Sequence, residues 1–454
     1  MRRTGNSGDS NRKNDSIIFN IIAMNIIRYP KKSEWNDILK RPSLGDELVN
    51  QSVLEVLNDV RLNGDEAVRK YTLKYDKADL DSFAVTAEEF EEAASLVNAN
   101  LKKSIETAKR NIEKFHAAQN SVRKVVETTP GVFCWQKSVP IDTVGLYIPG
   151  GSAPLFSTVL MLGIPAKIAG CKKVILCTPP NKEGKVHPAI LYTAKLVGLT
   201  EVYKVGGIQS ISAMAFGTHS IPKVAKIFGP GNLYVTAAKQ MVGMHGVAID
   251  MPAGPSEVAI MADNTCKPAF IAADLLSQAE HGADSQVVLM TCDENILQPV
   301  LDELETQLEN LPRKETAKKA LENSKVIILK SNAEMLEIVN EYAPEHLIIA
   351  TEDAAELAEK ITNAGSVFIG NYSPESAGDY ASGTNHALPT AGYAKGYSGV
   401  NLDSFMKKIT FQQLSKYGIF NIGPVIEQMA EAEDLMGHKY AATVRLRSIA
   451  NDNN

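Results

Sequence analysis

The distribution of apolar residues divides the chain into a helical first part and an alternating second part. Up to about Asn120, apolar positions recur at helical spacing, with one amphipathic stripe in 47–60 and another in 88–119. From Val144 onward, short apolar runs alternate with amphipathic segments of helix length. This alternation predicts repeated βα units, which build a parallel sheet with helices on both faces.

Two such βα blocks follow one another. The first has predicted strands at 174–177, 202–205 and 225–228 and predicted helices at 188–196 and 211–216. The second has a predicted helix at 268–281 and predicted strands at 258–261, 287–290, 326–329, 347–349 and 367–369. We therefore expect an α/β protein with two doubly wound, incomplete Rossmann-like parallel-sheet domains. Small helical segments should lie at the N and C termini.

These blocks set the expected domain boundaries. Residues 144–254 form one α/β domain, and residues 47–143 with 255–400 form the other, preceded by a small segment at 24–46. The tail, 401–454, reads as helical from Leu402 and is too small for a core of its own, so it should dock on something. Residues 1–23 combine a polar start with an apolar run too short to span a bilayer. We predict a disordered or artefactual extension there, with Met24 as an alternative start.

Composition narrows the possible partners. A chain of 454 residues exceeds one hydrophobic core. The formal net charge of -6 argues against nucleic acid as the main partner, because phosphate binding needs a basic face. The five cysteines are scattered and form no C-x-x-C pair, which is typical of a reducing compartment. We expect a cytoplasmic protein without a membrane span, in which histidine, carboxylate and amide groups hold any metal.

One cluster in the second block suggests metal binding. Gln278 and His281 are three residues apart near the end of the predicted helix, so they share a helix face. Gly282 stands where a helix C-terminal glycine belongs, which would put His281 in the last turn. An amide oxygen and an imidazole nitrogen suit a borderline cation such as zinc. A plain polar helix end is the alternative for this pair considered alone.

Three glycine-rich turns follow predicted strands, at 149–151, 206–207 and 229–232. Ligands of open α/β sheets lie beyond the carboxyl ends of the strands. However, none of the turns completes the G-x-G-x-x-G pattern, since Tyr234 occupies the third glycine position after Gly229 and Gly231. The turns alone are therefore weak evidence for a dinucleotide, and tight strand-to-helix connections would also explain them.

Two further pairs of residues could carry chemistry. Glu345 and His346 follow Pro344 at the mouth of a predicted strand, where a carboxylate beside an imidazole can divide acid and base roles. Surface polarity is the alternative. His438 lies five residues after Glu433, about 500° around a helix. Those two could serve one ligand only if the helix ends at Gly437 or if they approach it from different sides.

Taken together, several long motifs in order resemble the histidinol dehydrogenase family, from about Glu47 to the C terminus. The motifs are YIPGGSAP at 147–154, KIFGPGN at 226–232, DMPAGPSE at 250–257, SQAEHG at 277–282, PEHL at 344–347 and SAGDYASGTNH at 376–386. No functional position departs from the family pattern, and only the N-terminal extension looks foreign.

The resemblance implies roles for these residues. The catalytic pair falls on Glu345 and His346, and the zinc ligands fall on Gln278, His281, Asp379 and His438. Substrate contacts fall on those four ligands with Ser256, His346 and Glu433, and NAD contacts fall on Tyr147, Gln209 and Asn232. Family members resemble homodimers whose C-terminal helices cross to the partner, so Glu433 and His438 would complete the neighbouring site.

The implied reaction is the NAD-dependent, four-electron oxidation of L-histidinol to L-histidine through L-histidinal, the last steps of histidine biosynthesis. Zinc would position the substrate. Two other readings use the same residues: a metal-dependent hydrolase with an activated water, and an inactive relative that serves as a metal-binding scaffold. Strict dependence on NAD would distinguish the first, and the intact candidate residues argue against the second.

Overall fold

A computed structural model describes residues 24–41, 47–120, 122–150 and 153–452. The predicted extension at 1–23 lies outside the described residues. The strands are β1 Asn25–Arg28, β2 Val125–Thr129, β3 Val132–Pro140, β4 Thr143–Tyr147, β5 Lys173–Thr178, β6 Glu201–Lys204, β7 Lys226–Phe228, β8 Ala248–Ile249, β9 Glu257–Ala262, β10 Gln286–Thr291, β11 Lys325–Ile328, β12 His346–Ala350, β13 Ser366–Ile369 and β14 Met406–Leu414.

Helices alternate with these strands over most of the described chain. They are α1 Trp35–Ile38, α2 Glu47–Asn63, α3 Asp65–Asp76, α4 Ala87–Leu96, α5 Ala99–Ala117, α6 Phe156–Ala169, α7 Pro188–Leu196, α8 Gly207–Phe216, α9 Leu233–Gly243, α10 Pro268–Ala279, α11 Leu297–Asn310, α12 Lys314–Glu322, α13 Asn332–Tyr342, α14 Ala354–Ala358, α15 Glu375–Tyr380, α16 Lys416–Ala432 and α17 Met436–Asp452. Every strand and helix predicted in the two βα blocks is present, with shifted ends.

Two parallel sheets form the centre of the molecule, and they share one topology. The first has the order β6-β5-β4-β7-β8, and the second has the order β1-β11-β10-β9-β12-β13. In each sheet the chain winds outward from one strand (β4 or β9), then returns past it and winds the other way. The winding direction therefore reverses between β4 and β7 and between β9 and β12, and these two places are the switch points of the sheets. This confirms the predicted doubly wound α/β fold.

Both sheets are buried on both faces, as parallel sheets require. In the second sheet, Val258 and Ile260 pack under α10 to α12, whereas Ala259 and Met261 pack under α1, α13 and α14. The first sheet is covered by α4 to α7 on one face and by α2, α3, α8 and α9 on the other. The continuous apolar runs of the sequence are explained by this double burial.

One domain boundary differs from its prediction. We expected residues 47–143 to belong with 255–400, but α2 to α5 pack against the first sheet: Val53 and Tyr71 share a core with Ile175, and Phe90 and Ile112 share one with Leu176. The restart of βα alternation at Val144 had suggested a new domain. In fact, the preceding helices supply the layers that cover the strands which follow them.

The tail also begins differently from its prediction. Residues 406–414 form β14, which pairs antiparallel with β3 along nine residues from Met406 to Leu414, and β2 completes a three-stranded sheet. Only after Ser415, which caps α16, does the tail become helical. The helices α16 and α17 pack against each other, and α16 contacts β14 and β2.

Among the described helices, none has the length and apolar character needed to cross a bilayer.

Candidate active site

The main cleft lies where the two parallel sheets meet at opposite strand ends. It encloses ≈ 770 Å³ and is lined by Tyr147 and Asn232 from the first sheet and by Ser256, His281 and Glu345 from the second. Tyr147 ends β4, at a carboxyl end, whereas Glu345 precedes β12, at an amino end. Each side of the cleft therefore coincides with a switch point, but only the first uses the carboxyl ends at which α/β sheets usually bind ligands.

Glu345 and His346 are buried side by side at the start of β12. The chain reaches them through Ala343, whose left-handed backbone (φ 52°) ends α13, followed by Pro344. The Oε2 of Glu345 accepts a hydrogen bond from the backbone N–H of Glu257 at 2.9 Å and lies 3.6 Å from Nδ1 of His346. Burial raises the pKa of Glu345, although His346 partly offsets this rise. The pair that the sequence singled out is therefore buried within one site.

The hydrogen bonds of His346 determine its neutral tautomer. Its Nδ1 lies 3.1 Å from the backbone oxygen of Glu257, and a carbonyl can only accept, so Nδ1 carries the hydrogen. Its Nε2 is buried without a hydrogen-bond partner and lies 3.4 Å from Oδ1 of Asp379. Burial alone would lower the pKa of His346, but the nearby carboxylates, Glu345 foremost, raise it well above its ordinary value. Whenever the ring is neutral, Nε2 is the nitrogen that can accept a proton.

A buried carboxylate orients the amide of Gln278. Glu375, on α15, accepts a hydrogen bond from Nε2 of Gln278 at 2.5 Å and another from Oγ of Ser277 at 2.7 Å. The second amide contact, Nε2 to Nδ1 of His346, is 3.4 Å. The amide nitrogen is thus held by Glu375, and the amide oxygen, Oε1, remains buried without a partner. Burial raises the pKa of Glu375 to about 7.

Two of the expected zinc ligands carry unpartnered buried oxygens, which suits a cation. Besides Oε1 of Gln278, Oδ1 of Asp379 has no hydrogen-bond partner, and the two residues flank His346 from opposite ring nitrogens. Burial alone would raise the pKa of Asp379, but His346, His386 and His281 lower it. Among the described residues, no group of three or more His, Cys, Asp or Glu could hold a metal alone. The donor chemistry fits zinc, but the described chain does not assemble the full set.

His281 does not occupy the helix position that its spacing predicted. The helix α10 ends at Ala279 with Glu280 as its C-cap, and the backbone N–H of His281 donates to the oxygen of Gln278 at 3.2 Å. Gly282 does not adopt a left-handed conformation, so it is not the predicted capping glycine. His281 is exposed and lines the cleft, while Gln278 is buried. The predicted helix face is wrong, yet His281 lies near enough to Asp379 for their charges to interact.

Glu433 and His438 lie apart from this cluster. Glu433 is the C-cap of α16 and His438 is near the start of α17, so the helix does break between them, at Asp434 and Leu435. Both residues are exposed. Among the described residues, no hydrogen bond or ion pair connects either one to Gln278, Asp379 or His346. Within one chain, these two candidates are not assembled with the others.

The other side of the cleft is formed mainly by backbone turns. Gly229 has φ 129°, and a Cβ there would lie 2.1 Å from the oxygen of Tyr147, so only glycine fits. Its N–H donates to Asp250 at 2.8 Å and its oxygen accepts from Lys239 at 2.7 Å, and these two side chains form a buried ion pair at 2.5 Å. Asn232 then caps α9, since its Oδ1 accepts from the N–H of Val235 at 3.1 Å.

Tyr147 and Gln209 both line this side of the cleft. The hydroxyl of Tyr147 accepts a weak hydrogen bond from the N–H of Gly207 at 3.4 Å, at the start of α8. Gln209, two residues later, is 1% exposed and its Oε1 has no partner. All three predicted NAD contacts, Tyr147, Gln209 and Asn232, line the same cavity, although no G-x-G-x-x-G turn is present.

Sequence reasoning missed the residues that support the site from behind. Glu257 is 3% exposed, and its carboxylate forms a two-bond ion pair with Arg41 at 2.5 and 2.9 Å. This pair anchors the backbone that contacts both Glu345 and His346. Ser256, the preceding residue, lines the cleft as expected. His386 also lines it, with Nε2 3.1 Å from Oγ1 of Thr158.

Comparisons with known proteins agree over nearly the whole chain. The sequence profile of the histidinol dehydrogenase family matches residues 39–446. The histidinol dehydrogenase of Bacteroides thetaiotaomicron is 58% identical over 426 residues, which cover 94% of this chain and 100% of the relative. That of Escherichia coli K12 is 52% identical, covering 92% and 98%. The crystal structure of histidinol dehydrogenase from Elizabethkingia anophelis matches with a TM-score of 0.93 at 57% identity, covering 95% and 100%.

Proposed function

The chain belongs to the histidinol dehydrogenase family, and from that premise we propose that it oxidises L-histidinol to L-histidine through L-histidinal. Two molecules of NAD would accept the two hydrides, and the reaction would complete histidine biosynthesis. The observation that carries the proposal is the buried His346, whose unpartnered Nε2 lies beside Asp379 while Glu345 lies beside Nδ1. It provides a positioned base for removing a proton from an alcohol.

The first oxidation needs a proton acceptor next to the alcohol oxygen. In the neutral tautomer set by Glu257, Nε2 of His346 takes the hydroxyl proton while hydride leaves the carbon for the nicotinamide ring. The products of this step are the aldehyde, NADH and a proton on His346. Because the aldehyde has a trigonal carbon, water can then add to it.

The second oxidation needs an activated water. Glu345 lies beside His346 and lines the cleft, so its carboxylate can accept a proton from the water that adds to the aldehyde. Its raised pKa makes it a stronger base than an exposed glutamate. The hydrate then loses the second hydride and becomes the carboxylic acid.

We propose that one zinc ion per site is held by Gln278, His281, Asp379 and His438. In a dimer with a shared site, the His438 would come from the partner subunit. When bound, the zinc would orient the substrate and polarise the groups that it contacts. The unpartnered Oε1 of Gln278 and Oδ1 of Asp379 support this assignment. Glu375 supports it indirectly, because it fixes the amide nitrogen and leaves the oxygen for the cation. Ser256 and Glu433, with His346 and the four ligands, would contact the substrate.

We propose that NAD lies along the turns of the first sheet. Tyr147 and Gln209 would contact the dinucleotide directly. Asn232 would do so at the N-terminus of α9, where backbone N–H groups and the helix dipole favour phosphate. The glycine at position 229 allows the turn before α9 to pack against the backbone of Tyr147. The rest of the cleft is lined by Glu345, with His346 buried beside it, so the nicotinamide end must face this pair.

A homodimer would complete each site. The hairpin of α16 and α17 carries the exposed Glu433 and His438 together with exposed apolar side chains, among them Tyr417, Phe420, Val425, Met429, Met436 and Tyr440. An exposed apolar surface of this kind is typical of an interface. Docking on a partner would cover this surface and deliver His438 to the partner's zinc.

Mixing two inactive variants tests the shared site. Of the two sites in a hybrid of His438→Ala and His281→Ala subunits, one would carry neither lesion. Random exchange makes about half of the dimers hybrid, so recovered activity should approach about a quarter of wild type. An absence of recovery, with subunit exchange demonstrated by a tagged pair, would mean that each chain builds its own site.

An assay of NADH formation with L-histidinol tests the reaction itself. We expect turnover with NAD, loss of turnover after chelation, and recovery on adding zinc. A hydrolase would release its product without NAD, and an inactive relative would bind zinc without turnover.

All five cysteines are free in the structure. This agrees with the cytoplasmic location that we propose from their scattered positions.

A further inference from the structure

A single carboxylate, Asp76, lies where the main cleft meets a second cavity. It is the last residue of α3 and lines both cavities, as do Gly150 and Pro179. The second cavity encloses ≈ 760 Å³ and continues along the loop after β5. No sequence pattern points to Asp76.

The neighbours of Asp76 include two of the proposed NAD contacts. Its Oδ2 accepts a long hydrogen bond from Nε2 of Gln209 at 3.4 Å, and its charge acts on the hydroxyl of Tyr147. Gln209 is almost fully buried, yet its Oε1 lacks a partner. A buried amide with an unused acceptor, beside a carboxylate, is a site that requires hydrogen-bond donors from a ligand.

The charges near Asp76 indicate which part of a ligand could lie beside its carboxylate. None of the described residues that line the main cleft is lysine or arginine. The second cavity is lined by two lysines, Lys182 and Lys185, of which Lys185 pairs with Glu92 at 2.8 Å. Burial raises the pKa of Asp76 only to about 6, so the group is ionised at pH 7.5. A diol offers two donors to this carboxylate, whereas a phosphate would bring a like charge against it.

The direction of the dinucleotide follows from what lines each cavity. Glu345 and His281 line the main cleft but not the second cavity, and hydride transfer requires the nicotinamide at their end. The adenosine half must then extend towards Asp76. An acidic residue on the adenosine ribose is the usual means by which α/β dehydrogenases accept the 2′-hydroxyl of NAD.

We propose that Asp76, together with Gln209, binds the adenosine ribose diol of NAD and thereby excludes NADP. The inference rests on the proposed use of NAD and adds the residue that sets cofactor specificity. Asp76 accepts from the 2′-hydroxyl, and Gln209 offers its free oxygen to the neighbouring hydroxyl. A 2′-phosphate in the same place would be repelled by the carboxylate.

Cofactor analogues separate this role from a structural one. For wild type, Asp76→Asn and the exposed control Asp79→Asn, kcat/KM is measured with NAD, NADP and the 2′-deoxyadenosine analogue of NAD at saturating L-histidinol. Wild type and control should lose about 10–100-fold on the deoxy analogue, which is the range for a hydrogen bond to a charged group. For Asp76→Asn, kcat/KM with the deoxy analogue should be less than about threefold below its value with NAD. The preference of this variant for NAD over NADP should fall at least about tenfold.

The same variants separate the inference from the proposed function. If wild type forms no NADH from L-histidinol, the proposed function fails, and binding of NAD, NADP and the deoxy analogue is measured by calorimetry without substrate. The same pattern of preferences in binding would still support the role of Asp76. The proposed role of Asp76 would be overturned if Asp76→Asn kept the wild-type preference for NAD over NADP and also the wild-type loss of kcat/KM on the deoxy analogue.

Discussion

The second-sheet side of the cleft is built from side chains, whereas the first-sheet side is built mainly from backbone. On the second-sheet side, Glu345, His346, Gln278 and Glu375 form one buried row, with 3.6 Å between Glu345 and His346, 3.4 Å between His346 and Gln278 and 2.5 Å between Gln278 and Glu375. On the first-sheet side, the N-terminus of α9 presents main-chain N–H groups, whereas the N–H and oxygen of Gly229 bind the charged pair that supports the turn. Chemistry needs groups that gain and lose protons, while binding a dinucleotide needs close approach and few charges.

This difference predicts which substitutions affect rate and which affect binding. A change on the second-sheet side should lower kcat, because it removes a proton acceptor or a metal ligand. A change on the first-sheet side should raise the KM for NAD and leave the chemical step intact. The substitutions below test that division, from the largest expected effect to the smallest.

Glu345→Gln should give the largest loss, and should impair aldehyde oxidation more than alcohol oxidation. A carboxamide cannot take a proton from water, and losing one positioned base costs about 10²–10⁴-fold. Single-turnover experiments that start from histidinol and from histidinal measure the two halves separately. Equal losses in both halves would move the base role away from Glu345.

Glu375→Gln should weaken zinc binding by about 10–100-fold, the usual cost of losing a partner that orients a metal ligand. A glutamine in that place can donate to the amide of Gln278 as well as accept from it, so the amide could turn its oxygen away from the metal. Competition with a chelator gives the zinc affinity without reference to activity. Ser277→Ala should give a smaller loss, because Glu375 keeps its bond to Gln278.

The exposed variant Glu352→Gln is the control for that experiment and should retain the wild-type zinc affinity. If Glu375→Gln also retained it, the orientation of Gln278 would not depend on this carboxylate.

Gly229→Ala should raise the KM for NAD about tenfold with a modest change in kcat. Its Cβ would contact the oxygen of Tyr147, and its φ of 129° costs a residue other than glycine about 1–3 kcal/mol. Gly246→Ala is a matched control, since φ is 78° there but no atom lies within 4 Å of the added Cβ. If both variants bound NAD equally well, the close contact at Tyr147 would be irrelevant to the site.

Asp76→Asn should slightly stabilise the protein without NAD above pH 6. The pKa of Asp76 rises from 3.8 to about 6 on folding, so ionising the buried group reduces stability as pH rises through that window. Removing the charge should raise the free energy of unfolding by about 1–2 kcal/mol at pH 8, after allowance for partial solvent exposure. Melting temperatures at pH 8 and pH 5 measure it, and a gain that did not shrink at pH 5 would exclude this cause.

The fold was largely predictable because local patterns determined most of it. The apolar runs of the parallel strands and the capping residues of the helices are local signals. The strand at 406–414 was not predictable in this way, since its apolar residues Met406, Ile409, Phe411 and Leu414 do not alternate strictly. Pairing with β3, more than 260 residues earlier, decides its conformation.

The site was predictable in its residue types and only partly in its arrangement. Motifs identified Glu345 and His346, but nothing local connects Gln278 with Glu375, which lie 97 residues apart. No local sequence pattern pointed to Asp76, because the role proposed for it depends on where α3 ends relative to the cleft. The helix face proposed for His281 was wrong because α10 stops two residues earlier, where the chain turns towards β10.

The most direct test of the account is to count NADH formed from a limiting amount of L-histidinol with NAD in excess. If Glu345 and His346 carry out both oxidations in one site, two NADH should form per L-histidinol, and L-histidine should be the product. A single NADH per L-histidinol, with histidinal released and accumulating, would contradict the claim that this cleft performs both steps.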